Sequence, residues 1–159
     1  MTLTHGKDRE DSYRDAGMMR QLLRVLLADP EQQVLSAYRS FLDTQDFDVA
    51  TASTPLECWA KLAQWKPDVL VLEPDTPDGW ADQILARLRD TSEHQLPVLI
   101  LSKRRSRSVG YPIRAYHVKP ISMHELMRSI REAVPVGLRD TPQETELTID
   151  EEKTKPEGA

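Results

Sequence analysis

The sequence predicts an α/β domain built on an open, five-stranded parallel sheet with helices on both sides. Three observations predict it: short apolar runs that stop abruptly at polar residues, segments of helical period between those runs, and helix-start signals where the segments begin. Strands buried on both faces read as continuous apolar runs rather than alternating ones. Strand–helix alternation with short connections and right-handed crossovers then favours a parallel sheet.

Taken in order, Leu22–Ala28 (LLRVLLA) is the first such run, interrupted only by Arg24 and ending at Asp29. Val34, Leu35, Tyr38, Phe41 and Leu42 recur at helical spacing. Phe47, Val49 and Thr51 alternate with Asp48 and Ala50 as a short strand does. Thr54-Pro55-Leu56-Glu57 is a helix start, with a Thr N-cap, Pro in the first turn and Glu placed for a capping box. Cys58, Trp59, Leu62 and Ala63 form the expected buried stripe of that helix, with Trp65 near its end. Val69–Leu72 is a buried strand ending at Glu73, and Ala81, Ile84, Leu85 and Leu88 mark the helix after it. Trp80 begins that helix and is placed to cover part of any pocket near Glu73. Leu96–Leu101 is a further apolar strand ending at Ser102, and a weaker one, Ala115–Val118, ends at Lys119-Pro120. Ser122-Met123-His124-Glu125 is a second capping box, followed by the apolar face Leu126, Met127, Ile130, Ala133 and Val134.

A chain of 159 residues supports one domain with chain to spare. Residues 1–20 and 136–159 have the composition of disordered arms, which leaves 21–135 as the folded domain. The net charge is −5, and the tail 136–159 carries most of it, with seven acids against three bases. The rest is near neutral, which argues against wholesale binding to nucleic acid or an anionic membrane. No apolar run approaches the roughly 18 residues that a membrane span needs, and MTLTHGKDREDSYRD lacks the apolar core of a signal peptide. A cytoplasmic location is therefore expected. Cys58 is alone, and His5, His94, His117 and His124 have no metal-ligand spacing.

In open parallel sheets the functional crevice lies beyond the carboxyl ends of the strands. Here that rule selects Asp29, Pro30 and Glu31, then Glu73 and Asp75, then Ser102, then Lys119. Clustered carboxylates need a counter-charge, which a hard cation or the Lys119 ammonium supplies. The loop after the first strand, Asp-Pro-Glu-Gln-Gln, offers no phosphate cradle for a nucleotide. Ser102 has no elbow motif and no base in reach, so no catalytic constellation is expected.

Five motifs in order carry a family resemblance: Val25-Leu26-Leu27-Ala28-Asp29-Pro30-Glu31, Pro67-Asp68-Val69-Leu70-Val71-Leu72-Glu73, Pro77, Pro97-Val98-Leu99-Ile100-Leu101-Ser102, and Tyr116-His117-Val118-Lys119-Pro120. Over about residues 22–135 the chain resembles the receiver domain of two-component response regulators. The resemblance implies a flavodoxin-like (CheY-like) sheet of order 2-1-3-4-5 and a pocket that phosphorylates an Asp with the help of Mg²⁺. Asp29 matches the family's first acid, Glu73 its phosphoacceptor position, Ser102 its switch hydroxyl, Tyr116 its switch aromatic and Lys119 its lysine. The same resemblance makes the 119–120 bond a cis-proline candidate at Pro120.

Departures from the family pattern set the functional expectation. Pro30 stands where the family has a second acid that binds metal, so that ligand is lost. Glu73 adds a methylene at the acceptor position and displaces its oxygens by roughly an ångström, where in-line transfer tolerates less. No metal and no Mg²⁺ cofactor are therefore expected. Glu73 either reaches toward Ser102 and Lys119 as a phospho-Asp does or forms a salt bridge with Lys119 in an inert pocket; the second reading is favoured, since a carboxylate has less charge and fewer oxygens than a phosphoryl group. Asp75 is a second acidic candidate, and it also suits the turn Asp75-Thr76-Pro77-Asp78-Gly79.

Only fourteen steps separate Ser102 from Tyr116, and residues 103–112 hold four bases, a Gly and a Pro. Val109 and Tyr111 are the plausible core residues there, so the family's fourth helix is expected to be shortened or missing. The expected function is that of a stand-alone, atypical, non-enzymatic receiver that binds a histidine kinase, another signalling protein or a second copy of itself through residues 103–134. One rival is a phosphorylatable regulator using Glu73 or Asp75. The other is a nucleic-acid binder using the basic stretch 103–107, which the acidic balance and the lack of a helix-turn-helix pattern oppose.

Overall fold

The computed structural model describes residues 22–91, 95–104 and 110–134. The arms expected at 1–20 and 136–159, together with Arg105, Arg107 and Val109, lie outside the described residues. Five parallel strands, β1 (Leu23–Ala28), β2 (Phe47–Ala52), β3 (Val69–Leu72), β4 (Val98–Ser102) and β5 (Ala115–Val118), form one sheet in the order β2-β1-β3-β4-β5. Among the described residues the helices are α1 (Gln32–Leu42), α2 (Pro55–Ala60), α3 (Trp80–Thr91) and α4 (Met123–Ala133). None is long and apolar enough to cross a membrane.

Strand alternation splits the core into two layers. Val25 and Leu27 of β1, with Val69, Val71, Leu99 and Leu101, face Leu35 and Leu42 of α1 and Leu126 and Ile130 of α4. Leu26 and Ala28, with Leu70, Leu72, Val98 and Ile100, face Cys58 of α2 and Trp80, Ile84 and Leu85 of α3. Both faces of the central strands are therefore dry, which is why their sequences are uninterrupted apolar runs. Trp80 belongs to this second layer at 5% exposure, so it is a core residue rather than a pocket cover. Burial pushes the Cys58 thiol up to about 12.

The helix starts follow from their caps. Thr54 Oγ1 accepts the Glu57 N–H at 3.2 Å, and Glu57 Oε1 accepts the Ser53 N–H at 2.7 Å, one residue upstream of the usual reciprocal partner. Ser122 Oγ accepts the Glu125 N–H at 3.0 Å. After Ala60 the chain continues as a π-helical turn, Lys61–Trp65, closed by Lys66 at a φ of 53°. The wider turn shifts the apolar stripe: Ala63, expected in the core, is exposed, and Trp65 packs against the second layer instead. Arg24 helps fix this turn, donating to the Trp65 carbonyl at 2.6 Å.

Between β4 and β5 there is no helix among the described residues. Tyr111 takes up the space, buried in the second core layer with Ile113 against it, and its hydroxyl donates to the Leu96 carbonyl at 3.1 Å. Gly110, at a φ of 60°, turns the chain into this position, and its carbonyl accepts from Arg89 at 3.0 Å.

Candidate functional site

The register of the sheet fixes where the strand-end residues stand. Ala28 pairs with Leu72, Leu72 with Ile100, and Ile100 with Tyr116, so β1, β3, β4 and β5 end along one rim. The backbone carries this alignment past the strands: Asp29 N–H donates to the Ala52 carbonyl, Glu73 N–H to Ala28 and Lys119 N–H to Ser102. Asp29 and Glu73 therefore sit side by side, and Lys119 reaches them across the end of β4. The Lys119–Pro120 peptide bond is cis.

Lys119 Nζ lies 2.6 Å from Asp29 Oδ2 and 2.9 Å from Glu73 Oε1, with the three side chains 11%, 7% and 2% exposed. The first contact is a hydrogen bond. The second is an ion pair whose direction is not that of a hydrogen bond, so the fully buried Oε1 has a charge partner but no donor aimed at it among the described residues. The other two oxygens are held by main chain: Asp29 Oδ1 accepts the Glu31 N–H at 2.8 Å, and Glu73 Oε2 accepts the Asp75 N–H at 2.9 Å. Burial alone pulls the Lys119 pKa down, but the hydrogen bond that Lys119 donates to Asp29 and the adjacent Glu73 carboxylate outweigh it and hold the ammonium above its ordinary value.

Beneath the carboxylates lies a pocket of about 10 Å³, room for one water, lined by Leu27, Leu35, Tyr38, Val71 and Leu101 as well as Asp29 and Glu73. Burial raises the Tyr38 pKa; Lys119 opposes the rise, and the Asp29 and Glu73 charges add to it.

The remaining candidates form an outer rim. Ser102 is fully buried, and its Oγ accepts the Arg104 N–H at 3.0 Å; no bond joins it to Glu73. Tyr116 donates its hydroxyl to the Arg104 carbonyl at 3.1 Å. Asp75 Oδ2 pairs with Arg104 Nε at 2.9 Å, and Glu31 Oε2 pairs with Lys103 Nζ at 2.8 Å. The Lys103 hydrogen bond lowers the Glu31 pKa, and Glu31 in turn raises that of Lys103. Pro30 follows Asp29 and offers no side-chain oxygen. No group of three or more His, Cys, Asp or Glu among the described residues is arranged to hold a metal ion.

Asp29, Glu73 and Lys119 are thus brought into direct contact, while Glu31, Asp75, Ser102 and Tyr116 meet the basic pair after β4. The roles of Lys103, Arg104 and Tyr38 in this site were not read from the sequence. The signal for the basic pair was present: four acids at 29, 31, 73 and 75 face two bases that directly follow Ser102. Of the basic run 103–107, Lys103 and Arg104 are already paired with acids of the same chain.

Comparison with known proteins identifies the family and the fold. Residues 25–131 match the model of the response regulator receiver domain. Over 114 residues the chain is 36% identical to the transcriptional regulatory protein TrcR of Mycobacterium tuberculosis, covering 69% of this chain and 44% of that protein. Over 115 residues it is 33% identical to the transcriptional regulatory protein KdpE of the same species, covering 69% and 50%. The chain thus spans about half the length of the curated relatives it matches. A CheY-like receiver domain from Methanospirillum hungatei superposes with a TM-score of 0.63 at 21% identity, covering 70% of this chain and 92% of that one.

Proposed function

This chain belongs to the response regulator receiver domain family, and on that premise we propose that it signals through protein contacts without taking up a phosphoryl group. Receiver domains are modules of two-component signalling rather than classical enzymes. The reading is carried by one observation: three of the four oxygens of Asp29 and Glu73 accept hydrogen bonds from Lys119 or main-chain N–H groups, and the fourth, Glu73 Oε1, is paired with the Lys119 charge. Mg²⁺ takes a near-octahedral shell of oxygens, several of them water, and anchors to protein through one or two free carboxylates. Recruiting these oxygens would cost the Lys119 pair and both main-chain bonds, and Pro30 contributes none. The residues present therefore do not fit Mg²⁺.

Within this reading Glu73 is the fixed partner of Lys119 rather than a stand-in for a phosphorylated Asp. Ser102 supports that choice, because its hydroxyl is engaged by Arg104 and not by Glu73. The partner is a histidine kinase, another signalling protein or a second copy of the chain, bound through the face spanning 103–134.

Intact mass measured after treatment with Mg²⁺ and a small acyl-phosphate donor tests the proposal. The expected result is an unchanged mass. A phosphate adduct on Glu73 or Asp75 would overturn it in favour of a phosphorylatable regulator.

A further inference from the structure

Arg104 makes three contacts with three different parts of the site, each through a different chemical group. Its guanidinium pairs with Asp75 after β3, its N–H donates to Ser102 at the end of β4, and its carbonyl accepts the Tyr116 hydroxyl of β5. Lys103 adds a fourth tie, across to Glu31 after β1. We propose that Lys103 and Arg104 form an ionic clasp over the mouth of the pocket, and that Arg104 is the positioning residue that holds Tyr116 and β5 in place.

The clasp supplies from within the chain the closure that an incoming phosphoryl group would otherwise have to provide, and in that sense it rests on the phosphate-independent reading. Its location follows from charge. The inner set of two carboxylates and one ammonium is left negative, and Glu31 and Asp75 add to that field at the rim. Two cations placed directly after Ser102 neutralise the rim without entering the pocket. Both pairs are solvent-facing: Arg104 is 74% exposed and its partner Asp75 36%. Exposed pairs of this kind are weak and screened by salt. The clasp is therefore releasable, unlike the buried Lys119 pairs, and competing ions or a charged partner segment open it without unfolding the core. β5 is the element that feels the release, because it lies at the sheet edge and pairs with β4 alone.

Hydrogen exchange on the full chain, without Mg²⁺ or a phosphoryl donor, tests this. Arg104→Gln leaves the main-chain contacts available and removes the guanidinium with its pair to Asp75. That variant, or raising salt from about 0.05 M to about 1 M, is expected to speed exchange at residues 115–118 by about threefold to fivefold. Exchange in β1 and β2 is expected to stay unchanged. Lys103→Glu should have a similar effect, and combining it with Glu31→Lys should restore the wild-type rate, which a merely steric role would not do. Unchanged exchange at 115–118, equal acceleration in β1 and β2, or no rescue by the charge swap would overturn the clasp. A phosphate adduct in the separate mass measurement would remove the phosphate-independent reading while leaving the exchange result to decide the clasp.

Discussion

The Glu73 carboxylate and the Lys119 ammonium stand 2.9 Å apart at the ends of two strands, β3 and β5, that are separated by a third. Glu73 is almost completely buried, and Lys119 also holds Asp29, so two carboxylates share one cation in a buried site. Removing a single member of such a set leaves uncompensated charge, which costs more than the intact set contributes. Lys119→Met is therefore expected to destabilise the domain by about 3 kcal/mol at neutral pH, measured as a lower urea midpoint with an unchanged slope. A loss within the scatter of surface substitutions would contradict burial of the pair.

The same pair sets an alkaline limit. The Lys119 pKa is raised in the folded state by Asp29 and Glu73 despite the opposing effect of burial. Its contribution is fully present below the unfolded lysine value of about 10.4 and is lost as pH rises through the higher folded value. Tyr38, raised chiefly by burial, acts in the same direction. Stability followed by denaturant unfolding should hold level through neutral pH and decline above about pH 10. The decline should be shallower in Lys119→Met, and an equal decline in both proteins would contradict this assignment.

Tyr111 lies buried in the second core layer between β4 and β5, and its two contributions separate by mutation. Tyr111→Phe removes only the bond to the Leu96 carbonyl and is expected to cost about 1 kcal/mol. Tyr111→Ala also empties its place in the second core layer and should cost about 3 kcal/mol or more. Thermal or urea unfolding of the two variants checks both values.

Much of this was legible in the chain because burial writes itself into local composition. β1, β3 and β4 run apolar until they reach Asp29, Glu73 and Ser102, and those stops mark the rim where the site lies. Thr54 and Ser122 announce their helices through bonds that span three residues. What stayed hidden depends on events without a local period. The π-helical turn at Lys61–Trp65 inserts a residue into the helical repeat, so the regular spacing selected Ala63 where Trp65 packs. Trp80 sits beside the pocket in sequence but points into the opposite core layer. The Lys103–Glu31 pair joins residues 72 positions apart, and only the folded sheet brings them within reach.

Calorimetric titration with Mg²⁺, of the wild-type chain beside the Pro30→Asp, Glu73→Asp double variant, puts the engagement of the strand-end carboxylates to the most direct trial. The wild type should give no saturable heat. The double variant, with a ligand restored and an acceptor shortened, should bind one ion saturably. Saturable one-to-one binding by the wild type, or none by the variant, would mean that the oxygens of Asp29 and Glu73 are not arranged around Lys119 in the way described.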